Sequence, residues 1–155
     1  MSMQLDEYDK TLLRLLQQNS RLPQQYLAEQ VCLSVSATSR RISALEKAGY
    51  IHGYVALADA AALGRPITII TEVSLDDERL DLINEAKQRF AACPQVQQVY
   101  YVTGEFDFVL VFQVRDMAEY EALTHSLFFE SGNVRHFRTL VSMNNVKQAL
   151  AVAVD

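Results

Sequence analysis

The chain has 155 residues, half of them apolar, with a net charge of −5 and two cysteines. That is enough for one ordinary domain or two small ones with a sizeable core, and no apolar run of about 18 residues exists to cross a membrane as a helix. Cys32 and Cys93 stand far apart with no CxxC pair, so neither a disulfide framework nor a metal site is expected, and the start of the chain lacks an export signal, which points to the cytoplasm.

In chain order, "LDEYDKTLLRLLQQN" places Leu5, Tyr8, Leu12, Leu15 and Leu16 at helical spacing and ends at Asn19-Ser20. "RLPQQYLAEQV" reads as a second helix, with Pro23 in its first turn, where the missing N–H costs nothing. After a break at "CLS", Ser34 or Ser36 can cap a third helix. On a helical wheel Thr38, Ile42 and Leu45 share one side, while Ser36, Ser39, Arg40, Ser43 and Lys47 share the other. Gly49 follows, where a left-handed cap is wanted. "YIHGYVAL" reads as one or two short strands, a wing, and the small residues of "ADAAALGRP" read as a linker over 58–66.

The remainder alternates. "ITIITEVSL" is a strand, and "DDERLDLINEAKQRFAAC" is a helix with Leu80, Ile83, Ala86 or Lys87, and Phe90 on one face, stopped by Pro94. "VQQVYYVT" and "FDFVLVFQV" are strands around a turn at Gly104-Glu105, "DMAEYEALTHSLFFES" is a helix, and "VRHFRTLVSM" is a fourth strand. The order β-α-β-β-α-β is a ferredoxin-like split βαβ. Helices cover one face of such a sheet, and a second copy is the expected cover for the other. The tail "VKQALAVAVD" has no place in this scheme. Charge divides along the same line. Residues 1–64 hold six bases (Lys10, Arg14, Arg21, Arg40, Arg41, Lys47) and six acids (Asp6, Glu7, Asp9, Glu29, Glu46, Asp59), so the acid excess lies in the second half.

Three helices with a short break before the third, a wing, and then βαββαβ resemble the Lrp/AsnC family of transcription regulators. The resemblance rests on "LDEYDKTLLRLLQQNSRLPQQYLAEQVCLSVSATSRRISALEKAGYIHGY", on "VYYVTGEFDFVLVFQVRDMAEY" and on "VRHFRTLVSMNNVK". It implies an α+β chain: a winged helix-turn-helix over 1–57, a linker over 58–66, and over 67–155 a ferredoxin-like RAM domain that binds an effector and oligomerises. It further implies double-stranded DNA as partner, a cytoplasmic, nucleoid-associated protein, sheet-to-sheet homodimers that assemble into octamers, and an amino acid bound between protomers. One departure stands in the turn, where Val31-Cys32-Leu33-Ser34 replaces the family's V-G-L-S. A left-handed backbone at Cys32 would cost roughly 1 kcal/mol without glycine.

The site residues follow from that resemblance. Ser36, Ala37, Ser39 and Arg40 are expected near base edges, with Arg40 able to donate two bonds to one guanine. Arg41, Ser43 and Lys47 are expected to contact the backbone or to steady the helix, with Arg41 to the side of the wheel and equally suited to a structural role; Ser34 counts among the DNA-binding residues, and Gln24 beside Pro23 can offer an N–H to a phosphate. The effector pocket is implied at Tyr101, Thr103, Gly104, Phe106, Asp107, Met117, His136, Leu140, Val141 and Ser142. Asp107 would accept from an ammonium group, and backbone N–H groups around Gly104 would hold a carboxylate. Tyr101, Phe106, Met117, Leu140 and Val141 would give an apolar wall that favours leucine or methionine. Neither a cofactor nor a metal is expected: His52, His125 and His136 pair with no Cys or Asp at ligand spacing. The rival from another class is a sirohaem decarboxylase, an enzyme of the same two-domain architecture. It would need cationic and imidazole side chains for a polycarboxylate, and Arg115, Arg135, His136 and Arg138 in the second half are a thin set for that task. A third reading is an amino-acid sensor with a degenerate DNA head.

Overall fold

Helix α1 (Glu7–Gln18) begins where two acids stand three residues apart. Asp6 accepts from the Asp9 amide at 2.9 Å, and Asp9 accepts from the Asp6 amide at 3.2 Å, so two free helix-end donors are satisfied reciprocally. The computed structural model describes residues 4–155. The first three residues of the expected N-terminal domain lie outside the described residues.

Helix α2 (Gln24–Gln30) follows Pro23, which sits at its N-cap. A tight turn leads on, and Cys32 does take the left-handed conformation, at φ 52°. Helix α3 (Val35–Lys47) opens with Ser34, whose hydroxyl accepts from the Ala37 amide at 3.2 Å. It closes at Gly49, φ 79°: the Gly49 amide donates to Glu46 and the Tyr50 amide to Leu45, which satisfies two orphan carbonyls. Leu12, Leu13, Leu27, Val31, Ile42 and Leu45 form the core of this three-helix unit. The wing strands expected at "YIHGYVAL" do not form: residues 51–59 carry no regular secondary structure. A strand needs a partner for its backbone groups, and although Ile51 packs against the three-helix core, Val55 and Leu57 stay exposed.

The second unit is a four-stranded antiparallel sheet in the order β2-β3-β1-β4. Its elements are β1 (Ile67–Leu75), helix α4 (Leu80–Ala92), β2 (Val96–Tyr101), β3 (Phe108–Val114), helix α5 (Met117–Thr124) and β4 (Val134–Val141). The period of two decides the faces. Ile69, Val73, Phe108, Leu110 and Phe112 point to the helices and are fully buried, where Phe90 of α4 meets Phe108 edge to face at 5.3 Å. Helix α4 starts at Leu80 rather than at Asp76, and Leu80 is exposed. Asp77 instead accepts from the Arg79 amide in the loop before the helix. The segment after α5 widens into a π-helical turn, His125–Phe129, which buries Leu127 and Phe128 but leaves Phe129 exposed.

By compactness the chain divides into Ala58–Lys147 and a unit made of the chain up to Leu57 together with Gln148–Asp155. The tail that the sequence left unplaced therefore packs with the three helices and not with the sheet.

Candidate functional site

The polar face of α3 forms as its spacing demands. Thr38, Ile42 and Leu45 are buried on one side. Ser36, Ser39, Arg40, Ser43 and Lys47 are exposed on the other, and Ala37 is half-buried between them. The cap is part of this surface: the Ser34 and Ser36 hydroxyls lie 3.2 Å apart. Gln24 is exposed at the start of α2. The helix therefore presents hydroxyls, one guanidinium and one ammonium to whatever approaches, on a backbone fixed by its cap.

Arg41 belongs elsewhere. Its Nη1 donates to Asp9 Oδ1 at 2.9 Å and to Asp6 Oδ2 at 2.8 Å, and its guanidinium lies over the Tyr8 ring at 5.0 Å. The hydrogen bond to Asp9, and then that to Asp6, push the guanidinium pKa up against the opposing effect of burial. The Asp6 carboxyl is held low, first by the Asp9 amide and then by Arg41. Of the two roles open to Arg41, the geometry favours the second: it clamps α1 to α3. The acid spacing was visible in the sequence, but nothing there tied those acids to a residue 32 positions away.

The expected effector residues do not converge within one chain. At one end of the sheet the turn 103–107 is tightly fixed. Asp107 Oδ2 accepts from the Leu75 amide at 2.7 Å, the Asp107 amide donates to Val73, and Gly104 takes φ 128°, where a side chain is disfavoured. His136 joins this end: its Nε2 is 3.4 Å from the Ser74 hydroxyl, and its ring meets Phe106 at 5.7 Å. Arg138 stacks over the other partner of that pair, Phe106, at 5.0 Å. Tyr101 packs on Phe108 and lies under Lys87 of α4, 4.4 Å from its ring. Thr103 is exposed. Leu140 and Val141 pair with Ile70 and Ile69, four residues along the strand from the Ser74–His136 pair, which is roughly 13 Å. Ser142 continues from them, its hydroxyl donating to Asn145, and Met117 is exposed in the first turn of α5. The single apolar wall expected from Tyr101, Phe106, Met117, Leu140 and Val141 is thus split between the two ends. Sequence reading missed Ser74 and Lys87, which touch His136 and Tyr101. Neither residue stands in a motif, and only the fold brings them there.

No group of three or more potential metal ligands occurs among the described residues, and no helix among them is long and apolar enough to cross a membrane.

Comparison with known proteins gives a consistent picture. Residues 5–52 match the family of winged helix-turn-helix DNA-binding domains, and residues 68–152 match the Lrp/AsnC ligand-binding domain. The chain is 39% identical, over 99% of its length and 91% of the relative's, to an uncharacterised HTH-type transcriptional regulator of Sinorhizobium fredii. It is 35% identical to the leucine-responsive regulatory protein of Haemophilus influenzae, covering 93% of this chain and 87% of that one. Among solved structures, a transcriptional regulator of Neisseria meningitidis in complex with L-Met superposes with a TM-score of 0.92 at 25% identity, over 98% of both chains. An AsnC family regulator of Agrobacterium tumefaciens gives 0.91 at 26% identity, over 96% of this chain and 97% of that one.

Proposed function

For a chain that belongs to the Lrp/AsnC family, and is therefore a DNA-binding transcriptional regulator with an amino-acid-binding domain rather than an enzyme, we propose that the effector is a small apolar amino acid, methionine or leucine, bound where two protomers meet. The observation that carries this reading is the fixed turn 103–107. Its carboxylate, Asp107, has one oxygen committed to Leu75 and thus a set orientation, beside a glycine whose backbone has no side chain to shield it. A zwitterion needs an acceptor for its ammonium and N–H donors for its carboxylate, and this turn offers both. Tyr101 and Phe106 lie at this end, whereas Leu140 and Val141 lie at the far end of the same sheet, so a second protomer would complete the apolar wall. A pocket of that kind also ties ligand occupancy to assembly, because a ligand that binds only the assembled form shifts the equilibrium toward it. The L-Met held by the Neisseria protein supports methionine within this class.

On the DNA side, Ser36, Ala37, Ser39 and Arg40 would meet base edges, and Gln24, Ser34, Ser43 and Lys47 the phosphates. Arg41 would hold the helix from behind. The protein would work in the cytoplasm, on the nucleoid, as a dimer or an octamer built from dimers.

A thermal-shift screen against the twenty amino acids tests the effector. Saturation at a hundred times the Kd stabilises by about 2.7 kcal/mol. Methionine or leucine should raise the Tm of the intact protein and fail to do so in Asp107→Ala. A Tm unmoved by every amino acid would overturn the effector assignment.

A further inference from the structure

The C-terminal segment leaves the sheet unit and lies on the DNA-binding unit, to which it belongs by compactness. Its contacts are specific. The Gln17 side chain treats the Val152 peptide as a neighbouring strand would: Gln17 Nε2 donates to the Val152 carbonyl at 3.0 Å, and Gln17 Oε1 accepts from the Val152 amide at 2.7 Å. One turn earlier, Arg14 Nε donates to the Val154 carbonyl at 3.1 Å. The side chain of the same Val154 packs, partly buried, against the apolar core of the three helices. The tail forms one wall of a half-open cleft of about 950 Å³, whose other walls include Leu13, Leu16, Tyr50, Ile51 and Tyr54.

Three hydrogen bonds to backbone and one partly buried side chain are the elements of extended-peptide recognition, in which main-chain bonds give affinity and side-chain burial gives register. We propose that α1 and the segment 50–57 form a peptide-binding surface whose ligand is the chain's own C-terminal segment, Gln148–Asp155, and that docking of this strap holds the recognition helix in its DNA-binding geometry. The route is short. Gln17 and Arg14 lie on α1, and α1 is clamped to α3 by the Asp6 and Asp9 carboxylates on Arg41. The strap is continuous with residue 147, the end of the effector-binding unit. That unit is therefore tied to the DNA-binding unit by two connectors, at residues 57–58 and at 147–148, rather than by a linker alone. A change within it can pull on α1 as well as on the linker.

Hydrogen exchange and DNA affinity, measured on the full chain, a chain ending at Lys147, and Gln17→Ala in both backgrounds, test the idea. The DNA probe is a duplex selected from a random pool by the intact protein. Truncation should speed exchange of the residue 7–18 amides by about tenfold and weaken binding to the duplex by a similar factor. Gln17→Ala should weaken the full chain but add nothing to the truncated one, because its partner is already gone. Val154→Asp, which keeps the chain length and removes the apolar contact with the core, should reproduce the truncation and serves if the shortened chain does not fold. Exchange within twofold of the full chain, or an equal Gln17→Ala effect in both backgrounds, overturns the docking. Lost protection with unchanged DNA affinity overturns the link to the recognition helix. The exchange readout needs neither DNA nor an effector, so failure of the strap is distinguishable from failure of the effector assignment.

Discussion

Arg40 and Arg41 are neighbours of identical type with opposite surroundings. The Arg40 side chain is exposed on the donor face of α3, whereas Arg41 meets an Asp9 side chain that is only 3% exposed. Removing a partner from a buried carboxylate leaves an uncompensated charge, and breaking such pairs costs about 3 kcal/mol. Arg41→Ala should therefore lower stability by about that amount and loosen α1 from α3, and Arg41→Lys should rescue it only in part, since an ammonium keeps the charge but not the planar guanidinium that lies over the Tyr8 ring. Arg40→Ala should leave the melting temperature in place and weaken DNA binding. Chemical denaturation paired with a binding titration separates the two, and equal stability loss in both variants would sink the assignment. The sequence left Arg41 open between the two roles, and what decides between them is a pair of acids at the start of α1, which only the fold brings to it.

At the scale of elements, the connector into the sheet is held by one carboxylate. Glu119 of α5 accepts from the Arg115 amide at 2.8 Å, and from Arg65 Nη1 at 2.9 and 3.0 Å. Gln95, in the turn just before β2, donates to it at 3.3 Å. The Arg115 amide first, and then the two arginines, hold the Glu119 carboxyl down to about 2 from an ordinary 4.5. A depressed folded-state value means stability that is complete above the unfolded value and lost as pH falls toward the folded one. The sheet unit should accordingly lose melting temperature between about pH 4.5 and 2, and Glu119→Gln should be less stable at neutral pH with a shallower loss in that window, as circular dichroism at several pH values would show. An identical acid slope in the variant would rule the network out as its cause. The elements themselves were legible where periodicity and caps agree. Ser34, Pro23 and Gly49 mark helix ends by local chemistry, and the alternation in Ile67–Leu75 marks a strand whose faces differ. The wing was not legible: β-branched and aromatic residues around Gly53 have the composition of a strand, but strand formation depends on a partner, which composition does not supply.

The whole molecule is shaped by what one chain leaves uncovered. Helices occupy one face of the sheet, and on the other Ile70 and Val111 stand directly opposite each other on the two central strands. Tyr100 pairs beside Val109, and Leu140 beside Ile70. The DNA-binding half carries six cations against six acids, so a single head neutralises few phosphates, and holding several heads together would add affinity. Covering the apolar face with a second copy, as proposed above, would serve both needs, hiding the patch and doubling the heads. In a two-fold interface a substitution appears twice, and a carboxylate buried without a partner is strongly disfavoured. Val111→Asp, half-exposed in the single chain, should therefore leave the fold intact by circular dichroism and turn the assembly into monomers in sedimentation velocity. It should also weaken binding to a two-site duplex by about a hundredfold while leaving one-site binding within a few-fold. A variant that still sediments with the intact protein would mean that the copies meet through another surface, and the effector pocket would then have to be sought away from this sheet.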